Sequence, residues 1–325
     1  MQEARKEQLL SGVIQPTTLK RKAAEELPRE AKRTELAQTI REEAEQGELP
    51  LAEMLHWDDY RRIATLGQGA FGRVYGVERV SDGKRLAIKL VNPKDRQTAV
   101  EIAILSRLSA ACPDLLVRYY GQVLTLDPEE SDSLVAGVLM DWLSGPTLRQ
   151  LMDQRPKVAW LLTTLELLAE QLACVHAAGI VHRDIKPENI VFDSSWAAKL
   201  IDYGVGCSAG PELSGIPLCT AQLTGTPAYL APELLHRRLS GQAGLGKPLP
   251  ATPASDIWAL GATMYEWLLG ETLKHDLASS FASHTEERIR AAQADPRISP
   301  LVRSMLSIDP AQRPSAQQIV DLLNQ

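Results

Sequence analysis

Two kinds of hydrophobic pattern divide this chain, and their order constrains the fold more than any other feature. After Trp57 the apolar residues fall into short strand-like runs: Ile63 to Leu66, Arg73 to Val77, Leu86 to Val91, Val117 to Leu126 and Leu134 to Met140. Turns containing Gly and Asp separate them. A stretch of helical period, Ala99 to Leu108, interrupts the series. Beyond Pro146 the period becomes mostly that of helices, as in the run WLLTTLELLAEQLACVHAAG. Strands first and helices afterwards imply an α+β fold in two lobes. With 325 residues, 44% of them hydrophobic, the chain can bury a full core.

Residues 1–57 stand apart. They are rich in Glu, Lys, Arg, Ala and Gln, carry no aromatic before Trp57, and are broken by Pro16, Pro28 and Pro50. Such a segment cannot bury enough apolar surface to fold alone, so it is expected to be a charged, flexible arm. The net charge of -6 argues against a dedicated nucleic-acid binder. No run approaches the ~20 apolar residues of a membrane span, and the N-terminus has no secretory apolar core. Cys112, Cys174, Cys207 and Cys219 lie far apart, with no C-x-x-C pair and no spacing suited to a metal. They are expected to be reduced thiols in a cytoplasmic protein.

Three segments carry candidate chemistry. Gly67-Gln68-Gly69-Ala70-Phe71-Gly72 is a G-x-G-x-x-G run, which alone fits either a dinucleotide fold or a phosphate-binding hairpin. Here it lies between two strand-like runs, which suits a hairpin whose missing side chains let the backbone approach phosphates. Lys89 ends an apolar strand, and twelve residues later Glu101 opens a helix with apolar faces. A Lys–Glu pair across strand and helix would orient the amine toward α- and β-phosphates. The third segment is the most specific: His182-Arg183-Asp184-Ile185-Lys186-Pro187-Glu188-Asn189, with Asp202-Tyr203-Gly204 thirteen residues beyond Asn189 and Ala231-Pro232-Glu233 further on.

This set, in this order, resembles the protein kinase family of the eukaryotic-like Ser/Thr type over about residues 58–325. The segments match its catalytic loop, its D-F-G metal-binding turn and its A-P-E motif. Asp256 to Gly261 resembles the central helix of the large lobe, and Asp309 to Pro314 resembles the late segment whose arginine pairs with the A-P-E glutamate. The resemblance implies the bilobal protein-kinase fold, with a mainly β small lobe at 58–141 and a mainly α large lobe at 142–325. It also implies a structural Glu233–Arg313 ion pair.

The site residues follow from the same resemblance. Asp184 would orient the attacking hydroxyl of a protein substrate, and Lys186 would hold the γ-phosphate of ATP. Thr226, in Gly225-Thr226-Pro227-Ala228-Tyr229, would bond both. Asn189 and Asp202 would hold Mg²⁺, for which hard oxygen ligands are suited. Lys89, oriented by Glu101, would hold the α- and β-phosphates. Leu66, Gly67, Gly69, Gly72, Val74 and Ala87 would cover the nucleotide from above and Val191 from below. Met140 would guard the back of the pocket, and Asp141 and Leu143 would supply the hinge backbone. Lys186 and the Gly225–Tyr229 loop imply Ser/Thr rather than Tyr specificity.

Some features depart from the family pattern. Tyr203 replaces the usual Phe, and its hydroxyl needs a partner if buried. The Lys89-to-Glu101 spacing is short. The Gly- and Pro-rich stretch 236–255 reads as an added loop, either passive or for docking. Arg183 suggests control by phosphorylation in 202–233, at Ser208, Ser214, Thr220 or Thr224, although no second basic residue follows Gly204 closely. An active kinase is the main reading, and a pseudokinase acting as a binding module is its rival. The style of the domain is similar to bacterial members, which makes delivery into a host cell a second possible setting.

Overall fold

The computed structural model describes residues 54–55, 57–69, 72–92, 95–126, 134–153, 158–220, 224–234, 250–273 and 298–325. The arm up to residue 53 and most of the 236–255 loop lie outside the described residues.

The small lobe is one six-stranded sheet in the order β1-β5-β6-β4-β3-β2. Its strands are β1 (Met54–Leu55), β2 (Tyr60–Gly69), β3 (Gly72–Arg79), β4 (Arg85–Val91), β5 (Tyr119–Leu126) and β6 (Leu134–Asp141). Antiparallel pairing runs from β2 through β3, β4 and β6 to β5. The short β1, from the stretch read as arm, adds parallel to β5. Alternation along these strands puts Tyr75, Val77, Leu86, Ile88 and Leu139 in one apolar cluster. At the β2–β3 turn Gly72 has φ 120°, and a Cβ there would lie 2.1 Å from the Leu90 carbonyl oxygen. Only glycine lets β3 start this close to β4.

Between β4 and β5 runs helix α1 (Arg96–Ala111), capped by Asp95, whose side chain accepts from the Gln97 N–H. The large lobe holds α2 (Leu148–Leu151), α3 (Val158–Ala177), α4 (Pro253–Leu269), α5 (Ile298–Met305) and α6 (Ala316–Leu323). Its described residues also form two small ribbons. In one, β7 (Ile180–Val181) pairs with β10 (Cys207–Ser208); in the other, β8 (Ile190–Phe192) pairs with β9 (Ala198–Leu200).

Helix α4 is the axis of the large lobe. A Thr252 capping box and Pro253 start it, and Gly270 in the left-handed region ends it. Every residue from Ser255 to Trp267 is buried, so this helix forms core rather than surface. It packs Trp258 and Trp267 with Leu165 of α3 and Phe192 of β8. A further apolar cluster crosses between the lobes: Ile104 and Leu105 of α1 pack with Val175, Ile180 and Tyr203. The small-lobe helix is thereby seated on the large lobe.

The expectation of reduced thiols is overturned. Cys112 is bridged to Cys174 and Cys207 to Cys219, and no cysteine is free. The members of each pair are 62 and 12 residues apart in sequence. Spacing along the chain does not specify pairing, because four cysteines allow three connectivities and only the tertiary fold selects one.

Candidate active site

The cleft between the lobes gathers the residues singled out from the sequence. On β4, Ala87 and Lys89 are two apart and so share a face. Val74 pairs with Lys89 across β3, and Met140 pairs with Ala87 across β6. Cross-strand partners lie on the same side of a sheet, so these four form one patch. Val191 lies half-buried on β8 of the opposite lobe, and Asp141 and Leu143 lie half-buried where the chain passes between lobes. A Cβ built on Gly67 would meet nothing within 4 Å, which leaves room at the β2–β3 hairpin. Leu66 is exposed on β2, and Gly69 pairs with Gly72 at the turn.

Helix α1 presents the buried Glu101 toward β4, and the Lys89 Nζ donates to both its oxygens, at 2.8 and 2.9 Å. The same ammonium reaches Asp202 Oδ1 at 3.1 Å. Burial opposes charge on Lys89, but the two carboxylates outweigh it and hold its pKa above the ordinary lysine value. A charged amine thus faces the residue expected to bind metal.

The catalytic-loop residues form a second, connected group. Asp184 Oδ1 accepts from the Thr226 N–H at 3.0 Å and from the Thr226 hydroxyl at 2.8 Å. Its Oδ2 accepts from Lys186 Nζ at 2.6 Å and from Asn189 Nδ2 at 3.1 Å. Lys186 also donates to Thr226 Oγ1 at 2.9 Å, and Asn189 donates to the Asp184 carbonyl at 2.8 Å. Burial would raise the Asp184 pKa, yet the Lys186 and Thr226 hydrogen bonds outweigh it and hold the carboxyl below the usual range. Asp184 is therefore ionised at neutral pH. Gly225, φ 105°, makes room for this contact: a Cβ there would lie 2.3 Å from the Arg183 carbonyl oxygen.

Arg183 and Asp202 both occupy the left-handed region, at φ 71° and 68°. Such backbone persists only where neighbours over-determine it. For the catalytic loop the neighbour is Asp256, buried on α4. Its Oδ2 accepts from the His182 N–H at 2.8 Å and its Oδ1 from the Arg183 N–H at 2.9 Å. The His176 ring lies 3.0 Å from the same Oδ2.

Tyr203 packs against His182 with its ring tilted by 53°, centroids 4.7 Å apart, and joins the cluster that contains Leu105, as its aromatic character predicts. Its hydroxyl is buried, has no partner among the described residues, and is pushed well above the ordinary tyrosine pKa by burial. An unsatisfied buried hydroxyl costs stability. Tyr203→Phe should therefore stabilise the fold by about 1–3 kcal/mol. A chemical denaturation midpoint no higher than that of the unmodified protein would contradict this.

The Glu233–Arg313 pair is also present, as a fork with both N···O distances at 2.8 Å. Two groups escaped the sequence reading. The sequence pattern places Asp256 only in a helix, although its partners are the backbone of His182 and Arg183. Arg149 donates to Glu188 at 2.6 Å, to Glu266 at 2.8 Å and to the Tyr229 hydroxyl at 2.6 Å. Tyr229 in turn donates to Glu266 at 2.5 Å. This cluster ties the Gly225–Tyr229 loop to α2 and α4. A buried acidic residue inside the apolar α4 pattern was the available signal for both Asp256 and Glu266, because a buried charge needs a partner.

Asp202 and Asn189 supply hard oxygen donors beside a cationic Lys89. The Asn189 amide nitrogen is spent on Asp184, and its amide oxygen accepts from no described residue. This donor set suits a hard divalent cation that also binds phosphates and water.

The family model for the protein kinase domain matches residues 60–322. Serine/threonine-protein kinase SSK22 of Saccharomyces cerevisiae is 30% identical over 243 residues, 69% of this chain and 17% of that protein. Serine/threonine-protein kinase Nek9 of Mus musculus is 29% identical over 282 residues, 81% of this chain and 26% of the relative. Protein kinase 3 of Dictyostelium discoideum is 33% identical over 227 residues, 66% of this chain and 23% of the relative. The chain thus spans about a quarter or less of these relatives' length.

Proposed function

Since this chain belongs to the protein kinase family, we propose that it is an active Ser/Thr protein kinase that transfers the γ-phosphoryl group of ATP to protein hydroxyls. The observation that carries this reading is the unbroken set of bonds joining Asp184, Lys186, Thr226 and Asn189, together with the Lys89–Glu101–Asp202 set that links the small-lobe strand and helix to the large lobe.

Phosphoryl transfer needs positioning and charge neutralisation more than covalent work by the protein. Asp184, held ionised and aimed by Thr226, would accept a hydrogen bond from the substrate Ser or Thr hydroxyl and align its oxygen. Lys186 would neutralise charge on the transferring phosphoryl group. Lys89, kept in place by Glu101, would hold the α- and β-phosphates. Asn189 and Asp202 would hold Mg²⁺, which when bound shields the phosphate charges. Ala87, Val74, Met140 and Val191 would enclose the adenine. The pseudokinase alternative is disfavoured because none of these groups is missing or diverted.

Ser/Thr rather than Tyr specificity rests on Lys186 and on the Gly225–Tyr229 loop, and the relatives named above as serine/threonine-protein kinases support it. Phosphoamino-acid analysis after incubation with γ-labelled Mg-ATP and a generic protein substrate tests it. Label in phosphoserine and phosphothreonine is expected, and label confined to phosphotyrosine would reverse the assignment.

Autophosphorylation is part of the proposal. No described carboxylate forms an ion pair with the Arg183 guanidinium, and its pKa is lowered by burial against the pull of Asp256. A phosphate on Thr220 or Thr224 would relieve that desolvated charge. Ser208 is a poorer acceptor, being buried and bonded to the Pro211 carbonyl. Mass spectrometry should find phosphate at Thr220 or Thr224 after incubation with Mg-ATP. Phosphate found only outside 202–233 would contradict it.

The proposed location is the cytoplasm. Disulfides there are usually transient and redox-sensing rather than permanent.

A further inference from the structure

Both bridges were unexpected, and one of them lies in the segment that leads from the metal-binding turn to the substrate-facing loop. Cys207, fully buried on β10, pairs across the ribbon with Val181, the residue before His182. Cys219 is half-buried, seven residues before Thr226. The bridge between them closes the loop 208–218. Backbone bonds run alongside it: the Ser208 N–H donates to the Pro217 carbonyl at 2.8 Å, and the Cys219 N–H donates to the Ser208 carbonyl at 2.9 Å.

The closed loop presses on helix α1. Ile216 is buried and Leu213 packs in the same apolar cluster as Val100, Ile104 and Leu105. The backbone approaches the helix side chains as well, within the loop at Gly215 and just before it at Gly206. A Cβ on Gly215 would lie 3.1 Å from the Ala103 Cβ, and one on Gly206 would lie 2.5 Å from the Ile104 Cδ1. Ala103 and Ile104 are two and three residues past Glu101, on the helix that brings its carboxylate to Lys89. At its other end the same segment delivers Thr226 to Asp184. One covalent link therefore closes the loop that packs on the Glu101 helix, in the segment that continues to Thr226.

We propose that Cys207–Cys219 is a redox modification site of this kinase: the bridge locks the segment against α1 and sustains activity, and a dithiol that opens it lowers phosphoryl transfer. The proposal rests on the kinase reading above. In the opening reaction a thiolate of the dithiol attacks the half-buried Cys219 sulfur, the S–S bond breaks, and Cys207 leaves as a thiolate that takes up a proton. The second thiol of the reagent then attacks the mixed disulfide. It expels Cys219, which is protonated, and the reagent becomes the cyclic disulfide. Two electrons and two protons pass to the protein. Without the closure, residues 208–218 regain chain entropy, and their seating on α1 depends on non-covalent packing alone. Cys112–Cys174 is different: it joins the C-terminal cap of α1 to α3 and closes nothing in this segment.

The test compares the full chain with Cys207→Ser/Cys219→Ser and with Cys112→Ser/Cys174→Ser, each oxidised and after dithiothreitol. Thiols are counted by alkylation and mass spectrometry. Reduction should slow phosphoryl transfer by the unmodified protein at least about tenfold, within the roughly hundredfold ceiling that the full closure entropy of a loop this short would set. Amide exchange across 96–111 and 207–219 should quicken with it. The Cys207→Ser/Cys219→Ser variant should be slow and indifferent to dithiothreitol, whereas the other variant should still respond. The proposal is overturned if the fully reduced protein keeps the oxidised rate, if the bridge does not form or does not open, or if Cys207→Ser/Cys219→Ser matches the oxidised protein. If no sample transfers phosphate, the kinase reading fails, and exchange decides the lock: unchanged protection on reduction would overturn it as well.

Discussion

Asp184→Asn should lower kcat by about 10²–10⁴-fold, the usual weight of positioned acid–base catalysis, while changing Mg-ATP affinity by no more than about twofold. Both Asp184 oxygens are engaged by donors only: Thr226 N–H and hydroxyl on one side, Lys186 and Asn189 on the other. An asparagine must turn its amide N–H₂ toward one of these sets, so it loses the charge and also sets donor against donor. The substrate hydroxyl then meets a weaker acceptor in a displaced loop. The nucleotide should be unaffected, because Lys89, Asp202 and the β2–β3 hairpin are untouched. Isothermal titration with Mg-ATP beside steady-state kinetics separates the two effects. A mutant that keeps most of its turnover would remove Asp184 from its role.

Arg313→Ala should cost about 3–5 kcal/mol of folding stability, since it leaves one partner of a buried ion pair alone. That is a large share of a typical total of about 5–15 kcal/mol. The Arg313 side chain is 0% exposed and Glu233 12% exposed. Besides the fork to Glu233, the guanidinium donates to the carbonyls of Ala254, Ser307 and Ile308 and lies over the Trp258 ring. Truncation leaves a carboxylate and three carbonyls without their donor, and opens a void beside Trp258. Removing both charges with retention of volume, as in Glu233→Gln/Arg313→Met, should be markedly milder. Urea denaturation measures both. Equal losses in the single and double variants would show that the ion pair is not the cause.

The sequence carried the site wherever function sits in a contiguous run. His182 to Asn189 is a single loop, so its residue types and spacing single out the candidate catalytic group before any fold is known. Lys89 and Glu101 are joined by a short connection, and their pairing could be anticipated from strand and helix periodicity. The alternation of β2 to β6 likewise made the small lobe legible. What stayed hidden depends on distant contacts. Asp256 acts on His182 and Arg183 from more than 70 residues away, and Arg149 reaches Glu266 over 117 residues. Neither link leaves a spacing signature. The disulfides leave no spacing signature either, because Cys112 meets Cys174 and Cys207 meets Cys219 only in the tertiary fold.

Kinase activity is measured by counting γ-labelled phosphate transferred from Mg-ATP to a Ser/Thr protein, with the oxidised full chain beside its Asp184→Asn variant and nucleotide binding followed on both. Incorporation should grow linearly with time for the unmodified chain and fall at least about a hundredfold in the variant, with equal nucleotide binding by both. Nucleotide binding by both proteins with no incorporation by either would contradict the kinase reading and leave the fold as a binding module.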